Sequence, residues 1–181
     1  LPLLATQLLW INLVTDGAPA PALGVDPPDA GVMRKPPRAK GEGVITPQMW
    51  WGIVYVGFIM AASTLVVLDA SLPGGLIEGS GSMRYAQTMA FTTIVLASLF
   101  NVINARSDEQ SAFTGLFSNK WLWASIALSV LLQMAVVYLP FLQKAFSTVS
   151  LSLDDWMLCT LAASSVLWLR ELSKLARRIV R

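Results

Sequence analysis

Residues Trp10 to Gly24 read WINLVTDGAPAPALG, and this stretch decides how the rest of the chain is understood. It lies in an apolar run, yet Asn12, Thr15 and Asp16 crowd together and Gly17, Pro19 and Pro21 follow directly. Asn12 and Asp16 are four residues apart and Thr15 is three from Asn12, so a 3.6-residue helix puts all three on one face. That face offers carboxylate, amide and hydroxyl oxygens without nitrogen or sulfur, the donor set of hard cations such as Ca2+. The residues that follow make the helix breakable. Glycine lifts the steric bar to unusual backbone angles, and Pro19 and Pro21 bring no N–H to the carbonyls of Thr15 and Gly17. At membrane depth such carbonyls are tolerated only where protein or a watery cavity satisfies them. Interrupted helices with unwound carbonyls are one way transporters hold ions near the midplane. The plainer alternative is a kinked helix whose Asp16 is protonated or paired with a neighbouring helix.

The setting of that stretch is a membrane. Of 181 residues, 55% are hydrophobic and 13% charged, where a soluble domain carries roughly a quarter charged residues. The apolar residues fall in five blocks at about 3–23, 46–70, 85–105, 121–142 and 153–172, each near the ~20 residues that cross the hydrocarbon. The expected fold is therefore an all-α membrane protein, a bundle of five transmembrane helices with the first interrupted at Asp16–Gly17, forming one domain over 1–181. A single cysteine, Cys159, and no histidine rule out a disulfide framework, a thiolate cluster and imidazole chemistry in this stretch. The net charge of +2 says little about partners; the lipid bilayer is the expected one, and nucleic acid is not. The chain opens at Leu1, not Met, without a basic leader, so it is expected to be a piece of a longer polypeptide.

Charge placement orients the spans. Eleven of the thirteen Lys and Arg residues fall in 24–45, 106–120 and 170–181, leaving only Arg84 and Lys144 elsewhere. The positive-inside rule then makes loops 24–45 and 106–120 and the tail 173–181 cytoplasmic, with the first residue outside. Thr46 and Pro47 suit an N-cap and first turn. Asp154 and Asp155 suit the outer N-terminus of the last span, and the basic residues from Arg170 onward suit contact with lipid headgroups. Trp50, Trp51, Trp121, Trp123, Trp156 and Trp168 stand near span ends as an interfacial belt.

Asp16 is the only acidic or basic residue (Asp, Glu, Lys or Arg) well inside a span, since Asp69 can reach an interface. Insertion costs roughly 2.5–3.5 kcal/mol for an aspartate at the bilayer centre, so such residues normally line a cavity or an ion path. Gln87, Ser98 and Asn101 form a weaker stripe on the third span, with Asn104 beyond; small polar residues there also serve as packing contacts. Gln133 on the fourth span is expected to make an interhelical hydrogen bond rather than a site.

The runs QLLWINLVTDG, PALGVDPPD and MRKPPR, from Gln7 to Arg38, resemble the sixth transmembrane helix and following loop of type II P-type cation-transporting ATPases, most closely the calcium-pump branch. The later spans resemble helices seven to ten in topology. The resemblance implies a pump that forms an aspartyl-phosphate and moves a cation, Ca2+ first and Mn2+ or Na+ as alternatives, out across a membrane, expected to be the plasma membrane. It implies metal-ligand roles for Asn12 and Asp16, for Thr15 at an additional site of two-ion pumps, and a lesser one for Asn101. The acid expected three residues before that asparagine is replaced by Ser98, which favours one ion per cycle. The chain has no Asp-Lys-Thr-Gly, Thr-Gly-Glu-Ser or Pro-Glu-Gly-Leu motif. No catalytic or cofactor-binding residue is therefore expected here. ATP and Mg2+ would be bound by the N-terminal domains of the same polypeptide, whose helices would supply the remaining ion ligands. Two other functions are compatible with the residues: a secondary cation transporter or channel subunit using Asp16 as a relay, and a helper module without transport.

Overall fold

The structure, a computed structural model, describes residues 2–26, 43, 45–74, 79, 81–105 and 118–180. The basic residues Arg34, Lys35, Arg38, Lys40 and Arg106, most of the two loops expected to be cytoplasmic, and Arg181 lie outside the described residues. Seven helices follow one another: α1 (Ala5–Asp16), α2 (Pro19–Gly24), α3 (Pro47–Ala70), α4 (Met83–Ala105), α5 (Lys120–Tyr138), α6 (Pro140–Phe146) and α7 (Leu153–Val180). Five helices were expected; the count differs because two of the expected spans are each divided into two segments. Among the described residues there is no strand. Met49–Ala70, Met83–Ala105 and Lys120–Tyr138 are long and apolar enough to cross a membrane, and the chain is a multi-pass membrane protein.

Local chemistry places the boundaries. Thr46 Oγ1 accepts from the Met49 amide at 3.2 Å, with Pro47 opening α3, as its sequence predicts. Asn119 Oδ1 caps α5 in the same way, accepting from the Leu122 amide at 3.0 Å. The span expected over 121–142 is cut at Leu139, whose extended backbone (ψ 122°) is what a residue preceding proline prefers; Pro140 then opens α6. At the start of α7, Ser152 Oγ accepts from the Asp155 amide (3.2 Å) while Asp155 Oδ2 accepts from the Ser152 amide (2.8 Å). This reciprocal pair fixes the N-terminus of α7 and adds to the dipole argument made from Asp154 and Asp155.

The hub of the bundle is α4. On one side Met89, Leu96 and Ala97 pack with Val56, Ile59 and Val67 of α3 and Cys159, Ala163 and Val166 of α7. On the other, Phe91, Val95 and Leu99 pack with Ile11 and Val14 of α1 and Val136 of α5. Ala86, Ala90 and Ala97 are fully buried; such small residues let helix backbones approach closely where lipid offers no hydrophobic contrast. Trp51, Phe58, Trp121 and Phe141 are each more than 70% exposed, the apolar exterior a bilayer requires. One expectation about the basic end changes. The segment foreseen as a tail from residue 173 continues α7, and Arg170 and Lys174 are 8% and 5% exposed because α7 stays packed against its neighbours there. Lys174 Nζ pairs with Glu171 Oε1 at 3.2 Å.

Candidate ion-binding site on the broken helix

α1 has two chemically distinct faces. Gln7, Ile11 and Val14 recur at helical spacing and are buried against the bundle. Asn12 and Asp16 lie on the opposite side with Leu9 and Leu13, and all four are exposed. The predicted ligand face therefore exists, and it is turned away from the other described helices. Thr15 is half-buried at its edge, and its hydroxyl donates to the Ile11 carbonyl at 2.9 Å, which leaves the oxygen's lone pairs available.

The interruption falls where the sequence places it. α1 ends at Asp16, and Gly17 closes it with an N–H to the Leu13 carbonyl at 3.0 Å. A Cβ at Gly17 would run into that same carbonyl oxygen, so the close approach demands glycine. Pro19 then opens α2, and neither it nor Pro21 can donate back to Thr15 or Gly17.

Sequence reasoning missed what holds this break in place. Two side chains of α5 and that of its N-cap residue do so. Ser129 Oγ donates to the Val14 carbonyl at 2.9 Å, in the last turn of α1. Asn119 Nδ2 donates to the Ala22 carbonyl at 2.8 Å, beyond the break. Gln133 accepts from Trp10 Nε1 at 3.2 Å and donates to Thr92 Oγ1 at 3.3 Å, tying α1, α5 and α4 together, the interhelical role expected of it. A signal was present: Ser129 and Gln133 stand four residues apart in an apolar span, on one helical face. Gln7 adds a further tie, donating from Nε2 to the Phe146 carbonyl at 3.1 Å, while Trp10 packs edge-on against Phe146 at 5.0 Å between centroids.

The described helices do not bring Asn101 to this face. It is half-buried and lines a cavity with residues of α3 and Arg170 of α7, whereas α4 meets α1 through Val95 and Leu99, which project from roughly the opposite side of the helix. Ser98 donates to the Ile94 carbonyl at 2.8 Å. Among the described residues no three Asp, Glu, Cys or His side chains gather into a cation site. The α1 face thus presents one carboxylate and one amide, with a hydroxyl at its edge, open to ligands from outside this bundle.

Residues 1–176 match the family described as cation transporting ATPase, C-terminus. A calcium-transporting ATPase of Bacillus subtilis is 40% identical over 158 residues, covering 87% of this chain and 17% of that protein. Calcium-transporting ATPase 1 of Yarrowia lipolytica is 40% identical over 174 residues, covering 96% of this chain and 18% of that protein. Calcium-transporting ATPase type 2C member 2 of Mus musculus is 39% identical over 175 residues, again 96% of this chain and 18% of that protein. The chain thus spans less than a fifth of the length of these relatives. It belongs to the cation-transporting ATPase C-terminal family.

Proposed function

We propose that this chain is the ion-binding and translocating portion of an ATP-driven P-type pump that exports Ca2+, with Asn12 and Asp16 as oxygen ligands. The observation that carries the proposal is the α1 face itself: a carboxylate and an amide, exposed and turned away from the bundle, at a helix end that cannot continue. An aspartate placed there is costly unless it lines a cavity or meets a cation, and relatives at 39–40% identity are named calcium-transporting. Thr15 stands at the edge of the face and serves an additional ion only if a second site is built. Asn101, on the far side of α4, contributes less. The other half of the cage, together with ATP and Mg2+ binding, belongs to segments of the same polypeptide outside this chain. In this arrangement the bundle crosses the bilayer five times, with α1–α2 as the broken crossing and α7 as the last, and the basic ends face the cytoplasm of a plasma membrane.

The test is ATP-driven 45Ca2+ uptake into vesicles by the intact polypeptide, with Mn2+ and Na+ as competitors. Asp16→Asn is expected to lower uptake at least ~100-fold, a loss of about 2.7 kcal/mol. Because the side chain is exposed on this bundle, expression and detergent stability should hold. Unchanged uptake in this variant would refute the site, and Mn2+ or Na+ abolishing Ca2+ uptake at far lower concentration would reassign the ion.

A further inference from the structure

The two halves of the broken helix are held very differently. α1 is pinned along its buried face: Gln7 to the Phe146 carbonyl, Trp10 to Gln133, and Ser129 to the Val14 carbonyl, at 3.1, 3.2 and 2.9 Å. Ile11 and Val14 also enter an apolar cluster with Phe91, Val95 and Val136. Among the described residues neither apolar cluster takes a member from α2. What reaches α2 is the N-cap of α5. Asn119 Oδ1 accepts from the Leu122 amide at 3.0 Å, and its Nδ2 donates to the Ala22 carbonyl at 2.8 Å. One side chain, 4% exposed, thus both starts α5 and holds α2. Beside that bond the two helices stand apart. A groove of about 420 Å3 lies between them, with Ala18, Pro21 and Ala22 on one side and Ala124, Ser125 and Leu128 on the other. Small side chains let helix backbones come close, so the groove is room into which α2 can move. The joint is soft: Gly17 has no Cβ, and Pro19 and Pro21 bring no N–H to stiffen it.

We propose that Asn119 is the positioning residue of a moving half-helix. α2 pivots at Gly17–Ala18 over the fixed α1 and closes onto α5 during ion passage, and Asn119 sets the angle from which it starts. The inference deepens the reading of Asn12 and Asp16 as ion ligands and rests on it. Both residues lie on α1, which keeps its ties to α5 and α6 when α2 moves. Motion of α2 therefore governs how fast the ion passes, not how tightly it is held. Losing the Asn119 bond leaves α2 less often at its starting angle, and filling the groove stops it from closing.

Two measurements on the intact polypeptide test it: equilibrium 45Ca2+ binding and the maximal rate of ATP-driven 45Ca2+ uptake. Ala124→Phe fills the groove from an exposed position of α5, so folding should hold. It is expected to lower the maximal rate at least ~10-fold, as overpacking does, and to leave Ca2+ binding within ~2-fold. Ala127→Phe makes the same change at an exposed position outside the groove and should alter neither. Asn119→Ser keeps an N-cap oxygen for α5 but shortens the reach to Ala22. Its maximal rate should fall about 5-fold, the value of one hydrogen bond, again at unchanged binding. An unaltered rate in Ala124→Phe or in Asn119→Ser overturns the proposal. So does an equal loss in Ala127→Phe, or Ca2+ binding that weakens in step with the rate. Failure of the underlying ion-site reading shows separately, as uptake undisturbed by Asp16→Asn.

Discussion

Helices α1 and α4 both carry polar side chains in apolar surroundings, but they settle them in different ways. On α4, Thr88, Thr93 and Ser98 each donate to the carbonyl four residues earlier, at 2.8 Å. The helix absorbs their hydroxyls and continues without a break for 23 residues. On α1 only Thr15 does this. Asn12 and Asp16 stay exposed on one face, and the helix stops after 12 residues. The difference is chemical. A hydroxyl can return its one proton to its own helix, whereas carboxyl and amide oxygens are acceptors that call for a donor or a cation from elsewhere. Polar residues inside a span are thus of two kinds, those their own helix satisfies and those that call for a partner from elsewhere.

The comparison is tested most severely at the hub. Phe91 of α4 is fully buried between α1 and α5, and Phe91→Ala should cost about 3–5 kcal/mol. A lowered midpoint of thermal denaturation in detergent reads this, and a loss below 1 kcal/mol would show that α4 does not organise the bundle. The break comes next. Gly17→Ala sets a methyl against the Leu13 carbonyl and should cost about 1–3 kcal/mol in overpacking. Its Ca2+ uptake should fall further than its stability, since the change lies beside the proposed ligands; the reverse order would make Gly17 merely structural. The brace is the subtlest. Ser129→Ala removes the donor to Val14 and should cost about 0.6 kcal/mol, the average for hydrogen bonds between membrane helices, and no more than about 1.7 kcal/mol. A rise in the Ca2+ concentration giving half-maximal uptake, without loss of folded protein, would mark Ser129 as a positioning residue.

Much of this was legible in residue order. The break shows as Asp16-Gly17 with Pro19 and Pro21 because glycine and proline act on the backbone locally, whatever surrounds them. The Thr46–Pro47 start of α3 was readable for the same reason. The division at Leu139–Pro140 was equally local, yet it was hidden by an apolar run that reads through the proline. Arg170 and Lys174 were expected to suit contact with lipid headgroups and are buried; charge patterning shows which end of a helix is basic, not how far its neighbours extend alongside.

The sequence by itself determined that the chain crosses a membrane, where its first helix breaks, and which face of that helix carries oxygen. These depend on hydropathy, helical period and backbone stereochemistry, which act within a few residues. Only the tertiary structure decided that this face points away from the bundle, that Ser129 and Gln133 of α5 and its N-cap Asn119 brace the break, and that Asn104 and Arg170 line one cavity between α3, α4 and α7. Those depend on which helices pack together, and the contacts that fix the packing join residues as far as 139 positions apart.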